Sequence, residues 1–365
     1  MPPSSPLLLG LELAGTGAHP ASWRRPDSRA EELFGAAYWV DALRAADDAG
    51  IDFAFLTDSF ALQAAGAVGR LDAVAVAARA AAATRHIGLI AQVPVTHTEP
   101  FHLSKAIASL DFASHGRAGW EVTVSTGAAA LFGRKAEQDS HSRWFEADET
   151  VEVAARLWDS WEDDAEIRDR ATGRFIDRDR LHYIDFVGDN FSVKGPSITP
   201  RPPQGQPLVT VRADSAHSTR VAVHRADLIR IAAPDLATAA GLRAELRGAV
   251  AAAGRDPDQV RILLDLDVHL ADTIDAAAAD VAQLEDWIAT PAPGSVFHIG
   301  TAEELRDSLA DVETQCAADG VVLRPLALPA VLPQLRALAA GRAPRPGTLR
   351  ERLGLPRPTS RYTHA

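Results

Sequence analysis

Short apolar runs alternate along the chain with longer segments in which apolar residues recur at helical spacing. Leu7 to Leu13 reads as a buried strand, and Glu31 to Ala49 as the helix behind it, ending before Gly50. Ile51 to Leu56 is stopped by Thr57-Asp58-Ser59 and followed by an alanine-rich helix over Leu71 to Ala83. The unit repeats twice more, with Ile87 to Val93 leading to Pro100 to Ser114, and Ala118 to Val124 leading to Glu146 to Trp161. From 163 to 203 the alternation stops. Tyr183 to Phe186 and Asn190 to Val193 flank Gly188, and Pro196, Pro200, Pro202 and Pro203 follow, which predicts an inserted hairpin and a stiff return.

Leu208 to Val211, Leu228 to Ala232 and Ile262 to His269 then read as strands five to seven. Their helices fall near Ala216 to Arg225, Leu236 to Ala253 and Ala276 to Ile288, and Val321 to Leu326 is the eighth strand. Alternating units of this kind predict a parallel sheet covered by helices, and eight of them close into a (β/α)8 TIM barrel with an insertion after the fourth βα unit. An open doubly wound sheet is the alternative. No linker separates two halves, so one domain over 1–365 is expected, with 163–203 inserted in it.

Composition narrows the class of function. The 365 residues are 47% hydrophobic and carry a net charge of -12 without any basic run, which argues against nucleic acid as a partner. Cys316 is the one cysteine, so neither a disulfide framework nor a thiolate metal site is expected. The start, Met1 to Pro6, lacks the basic residues of a signal peptide, and no run approaches the roughly 20 apolar residues of a membrane span. A soluble, cytoplasmic protein without membrane partners is expected.

In a barrel the loops beyond the C-terminal ends of the strands build the active site. The polar residues there are His19 and Trp23, Asp58, Thr96 and His97, Ser125 and Thr126, then Arg212, Asp214 and Ser215. Position alone leaves Asp58 equally open to a role as a helix cap, and His19 and Trp23 to a packed loop. His97, His102 and His115 do not have the spacing of a metal motif, so no metal is expected. A dinucleotide fingerprint, a phosphate loop and a nucleophile elbow are all missing.

Several segments in order resemble one family. They are Gly17-Ala18-His19-Pro20 with Trp23-Arg24, Asp52 to Asp58, Glu99-Pro100-Phe101-His102-Leu103 leading to Ser109-Leu110-Asp111, and Gly116-Arg117-Ala118-Gly119-Trp120. Leu157-Trp158-Asp159-Ser160-Trp161, His182 through Pro196, and Thr348 to Pro356 complete the series. Together these resemble the nitrilotriacetate, EDTA and dibenzothiophene-sulfone monooxygenases within the luciferase-like flavin enzymes.

The resemblance implies a two-component monooxygenase: reduced FMN comes from a separate flavin reductase, reacts with O2 to a peroxyflavin, and oxygenates a small organic substrate. A homodimer or higher homo-oligomer is also implied. Carried over residue by residue, Asp58, Thr96, Ser125 and Trp144 are expected at the flavin, and Arg212, Ser215 and Ala216 at its phosphate. His141 and His19 are the expected acid or base near the reacting oxygen. Trp23, Phe101 and Phe186 are expected to line an apolar substrate pocket.

Three departures from the family pattern stand out. Glu121 replaces a usual Asn. Val211, Ala213 and Ser218 stand at the strand-five turn where the family carries a Gln and two glycines. The segment between strand seven and Thr301 is short, crossing at Thr290-Pro291-Ala292-Pro293-Gly294. They keep two alternatives open: hydride transfer with a deazaflavin or flavin in the same superfamily, or a non-catalytic barrel that has lost its flavin.

Overall fold

The computed structural model describes residues 7–342 and 345–362. The expectation for Met1 to Pro6 lies outside them. Eight parallel strands close on themselves: β1 Leu8–Leu13, β2 Phe53–Leu56, β3 Gly88–Pro94, β4 Ala118–Thr123, β5 Leu208–Arg212, β6 Leu228–Ile231, β7 Arg261–Leu270 and β8 Gly320–Pro325. Each pairs in parallel with the next, and β8 pairs with β1, for example Leu9 with Val321, which closes the (β/α)8 barrel.

Helices cover its outside: α1 Ala36–Ala49, α2 Ala73–Ala81, α3 Pro100–Ala113, α4 Ser140–Asp159, α5 Ala216–Arg225, α6 Leu236–Ala252, α7 Ile274–Trp287 and α8 Ala302–Thr314. Leu9, Leu11 and Leu13 of β1 point to this helical layer, while Leu8 joins the barrel interior, as the two-residue period of a strand requires.

Two helix starts differ from the sequence pattern, each for a local reason. α1 begins only at Ala36, because Arg29 takes a left-handed φ of 51° and 30–32 form a separate 3-10 turn before Gly35. α4 begins at Ser140, earlier than its apolar spacing suggests, because its first turn is polar and is started by the Asp139 carboxylate accepting the Ser142 N–H.

The excursion holds two hairpins instead of one, Glu166–Asp169 with Arg174–Ile176 and Phe186–Val187 with Ser192–Val193. Phe186 is buried with Val153, Leu157 and Ile184, and Phe101 packs against them. Both rings thus belong to a satellite core that ties the excursion to α4, a correction to their expected place in a substrate pocket.

The shortened region after β7 contains an unanticipated strand, Phe297–Gly300. It pairs with Asp267–Leu270 on the edge of β7 where β6 has already stopped. Thr301 and Glu304 then form a capping box that starts α8.

Inside, the barrel has two layers. Its lower half is apolar, built from Leu8, Phe53, Ile90, Leu208, Leu228 and Leu263, and is closed from below by Leu349, Leu353 and Leu355 of the C-terminal segment. Glycines make room for the large rings: a Cβ on Gly10 would stand 2.3 Å from the Phe53 ring. The upper half is ionic.

Candidate functional site

Every strand except β2 contributes a polar or charged residue to the upper layer: Glu12 from β1, Gln92 from β3, Glu121 from β4, Arg212 from β5, Arg230 from β6, Asp265 and Asp267 from β7, and Arg324 from β8. Contacts that cross the barrel place them inside it. Arg230 is fully buried and reaches Glu12 at 2.6 Å, Asp265 at 2.8 Å and Glu121 at 3.1 Å. Arg212 meets Glu12 and Asp265 at 3.3 and 3.2 Å, and Arg324 meets Glu12 and Asp267 at 3.2 and 3.1 Å. The Arg230 guanidinium rests 4.4 Å above the Phe55 ring, which marks the boundary between the layers.

The electrostatics follow from this packing. Burial opposes the charge on Glu12, yet Arg230, Arg212 and Arg324 together hold its carboxyl at about 2. Burial pushes Glu121 up, against the pull of Arg230, and pushes Asp267 up against Arg324. Glu121 is therefore no bare anion facing a ligand. Its carboxylate is enclosed, held by Arg230 and by the Gln92 amide at 3.1 Å. Sequence reasoning missed Glu12, Gln92, Arg230, Asp265, Asp267 and Arg324. The available signal was a charged residue in each of several otherwise apolar strands, as in Leu-Ile-Arg-Ile, where a buried charge demands a partner.

The rim above this layer holds the residues expected from the sequence. Asp58 accepts the N–H groups of Ser59 and Ala73 at 2.7 and 3.0 Å, and its own N–H donates to Gln92. It thus caps the start of the α2 region and is linked through Gln92 to Glu121. Burial raises its pKa, against those two N–H donors. Thr96 and Ser125 meet at the ends of β3 and β4, where Thr96 Oγ1 accepts the Ser125 N–H at 2.8 Å. The buried Ser125 hydroxyl has no partner among the described residues. Neither do the hydroxyls of Thr123 and Thr210, on β4 and β5. Buried polar groups left open in this way mark where a polar ligand edge fits.

The start of α5 forms a second feature. Ser215 and Ser218 make a capping box. The buried Ser218 hydroxyl also accepts the N–H groups of Asp214 and Ser215 and donates to the Asp214 carboxylate. Two N–H groups of this turn are thereby taken by a side chain standing where the family resemblance has glycine. The Ala216 and His217 N–H groups remain at the helix start, without acceptors among the described residues. Across from them the exposed His141 ring, at the start of α4, lies 5.5 Å from the His217 ring. Trp144 lies half-buried one turn further along α4, against the main core.

His19 is placed differently. Its buried ring accepts the Ala21 N–H at Nδ1, so Nε2 carries the proton toward Glu285, 3.2 Å away. It lines a cleft of about 190 Å³ with Gln63 and Arg70. A further cleft, of about 270 Å³, separates Thr96 and His97 from Asn190 and Phe191 of the excursion, with the Lys135–Glu146 ion pair in its wall. Trp23 is an exposed ring. No cluster of His, Cys, Asp and Glu suited to a metal occurs among the described residues.

Comparison with known proteins gives this geometry its context. Residues 16–319 match the model of the luciferase-like monooxygenases. The chain is 36% identical over 285 residues to N-acetyl-S-(2-succino)cysteine monooxygenase of Bacillus subtilis (strain 168), covering 77% of this chain and 65% of that protein. It is 32% identical over 289 residues to nitrilotriacetate monooxygenase component A of Aminobacter aminovorans, covering 74% and 64%. The chain thus spans under two thirds of the length of these two relatives. Among solved structures, riboflavin lyase with modified FMN and its substrate riboflavin superimposes with a TM-score of 0.84 at 25% identity, covering 96% of each chain.

Proposed function

The chain belongs to the luciferase-like monooxygenase family, and on that premise we propose that it is the oxygenase component of a two-component, reduced-FMN-dependent monooxygenase acting on a small organic substrate. The observation that carries this reading is the buried, unpartnered Ser125 hydroxyl beside Thr96 at the barrel rim. A flavin ring offers carbonyl and ring nitrogen groups that satisfy such an atom.

In this assignment Asp58, Thr96, Ser125 and Trp144 hold the ring system. The N–H groups of Ala216 and His217, the Ser215 turn and the His217 imidazole receive the phosphate at a helix start. Arg212, already tied to Glu12 and Asp265 on the floor, would lend positive charge to a bound flavin from there. Reduced flavin, when bound, supplies the two electrons that activate O2. The protein orients the substrate and keeps water out. His141, exposed at the mouth, delivers or accepts the proton at the substrate oxygen, and His19, locked between Ala21 and Glu285, shapes the floor of the first loop. A flavin reductase supplies the cofactor, the protein works in the cytoplasm as a homodimer or higher homo-oligomer, and 163–203 is an insertion in one domain.

Anaerobic titration with FMNH2, followed by O2 uptake in the presence of a flavin reductase, tests the proposal. Saturable binding weakened roughly fivefold by Ser125→Ala is expected, the effect of one hydrogen bond of about 1 kcal/mol. Binding of neither flavin form overturns it. Binding of a deazaflavin alone, with hydride transfer and no O2 uptake, points instead to the hydride-transfer branch of the fold.

A further inference from the structure

At the end of the barrel opposite the mouth, the C-terminal turns of α2 and α3 and the segment that plugs the barrel border an open cleft of about 520 Å³. Arg85, His86, His115, Arg117, Arg345 and Arg352 line it, and no carboxylate does so among the described residues. In a chain with a net charge of -12, four arginines in one lining are unusual, and the two carboxylates nearest them are engaged elsewhere, Asp47 by the N–H groups of Arg85, His86 and Ile87 and Asp52 by Arg342. Arg117 is fully used. Its guanidinium donates to the carbonyls of Ala81, Thr84, Ile87 and Ser114, and so caps the end of α2 with partial charges only.

Arg352 differs. It is buried, and one nitrogen donates to the His86 carbonyl, but Nε and Nη2 meet no acceptor among the described residues. Burial and the nearby Arg117 push its pKa down to about 10, so it stays charged at neutral pH. Arg345 donates to the Arg352 carbonyl and stands half-buried at the opening.

We propose that this cleft is a binding site for a phosphate group, free or carried as a monoester, remote from the barrel mouth. The Nε–Nη2 edge of Arg352, buried and unpartnered in the wall, is a side-on fork that would grip two oxygens of an oxyanion once its guanidinium turns toward the cleft, which Arg345 and Arg85 also line. A phosphate brings close to two negative charges and three strong acceptors. A single carboxylate would leave most of these cations unmatched. Because the site lies on the face that carries stability instead of catalysis in this fold, occupancy would tighten the contact between the C-terminal plug and α2 and α3.

Calorimetric titration of the full chain at constant ionic strength, with inorganic phosphate and with ribose 5-phosphate, tests the site in the wild type and in Arg345→Gln, Arg352→Gln and His217→Ala. Saturable binding is expected in the wild type and is retained in His217→Ala, which weakens any anion held at the mouth; this retained site is roughly tenfold weaker in Arg345→Gln and lost in Arg352→Gln. Arg345→Gln, at a half-buried position, keeps the test decisive if Arg352→Gln fails to fold. Equal affinity for the two ligands identifies free phosphate, and tighter binding of the sugar ester identifies a monoester. No saturable binding beyond that of matched chloride overturns the proposal. So does binding that Arg345→Gln leaves unchanged, or that His217→Ala abolishes, since the latter places the anion at the mouth.

Discussion

The two halves of the barrel interior arise from the same strands, one or two inward-facing positions apart, yet they follow opposite chemistry. Leu8, Leu228 and Leu263 fill the lower half beside Phe53. One inward step further along β6 and β7 stand Arg230 and Asp265, and two steps along β1, past Gly10, stands Glu12, joined across the barrel at 2.6 to 2.9 Å. The lower half is held by apolar burial, which is non-directional and tolerates exchange of similar volumes. The upper half is held by paired charges, which are stable only as a set, because removing one partner leaves another buried and unpaired. The apolar layer closes the fold, and the ionic layer sets the potential under the mouth.

The largest expected effect comes from removing the hub of the ionic layer. Arg230→Met leaves Glu12, Glu121 and Asp265 without their shared cation, and a loss of about 3–5 kcal/mol in denaturant unfolding is expected together with weaker flavin binding. Equal flavin affinity in a folded Arg230→Met protein would separate the layer from the site. Leu263→Ala in the lower half should cost about 3 kcal/mol by leaving a cavity, while flavin affinity stays unchanged. A loss of affinity there would erase the distinction between the layers.

The third effect depends on pH. Glu12 is held at about 2, below its ordinary 4.5. A depressed carboxylate contributes stability that is complete above about pH 4.5 and lost as pH falls toward 2, on the order of 3 kcal/mol. Glu12→Gln should flatten acid unfolding in that window, read by circular dichroism against pH. The smallest effect is expected from Glu121→Gln. Burial already pushes this carboxyl up, and Arg230 keeps Glu12 and Asp265, so stability should change by less than about 1 kcal/mol. A large loss in that variant would show that Glu121 is a full member of the charge set.

Much of the fold was legible, for a definite reason. Alternating apolar runs and helical segments report local periodicity, and strands buried on both faces read as apolar runs wherever they lie. All eight barrel strands were found this way. The strand Phe297–Gly300 was not, because His298 and Gly300 interrupt its apolar pattern and its place depends on β6 stopping early. Thr301-Ala302-Glu303-Glu304 did carry a readable helix start. At the site, the ends of the strands pointed to Asp58, Thr96, Ser125 and Ser215, since loop residues at the C-terminal ends are set by the topology. The same rule said nothing of Arg230 or Asp265, which lie within strands.

The sequence by itself determined the eight-fold alternation, the rim residues and the resemblance to a flavin-using family, because each rests on neighbours in the chain. Only the tertiary structure decided that Glu121 is matched by Arg230 from 109 positions away, that Ser218 occupies the N–H groups of the strand-five turn, and that four arginines meet at the closed end of the barrel. A charge shows its meaning only through its partner, and closing a barrel chooses partners that no local pattern records.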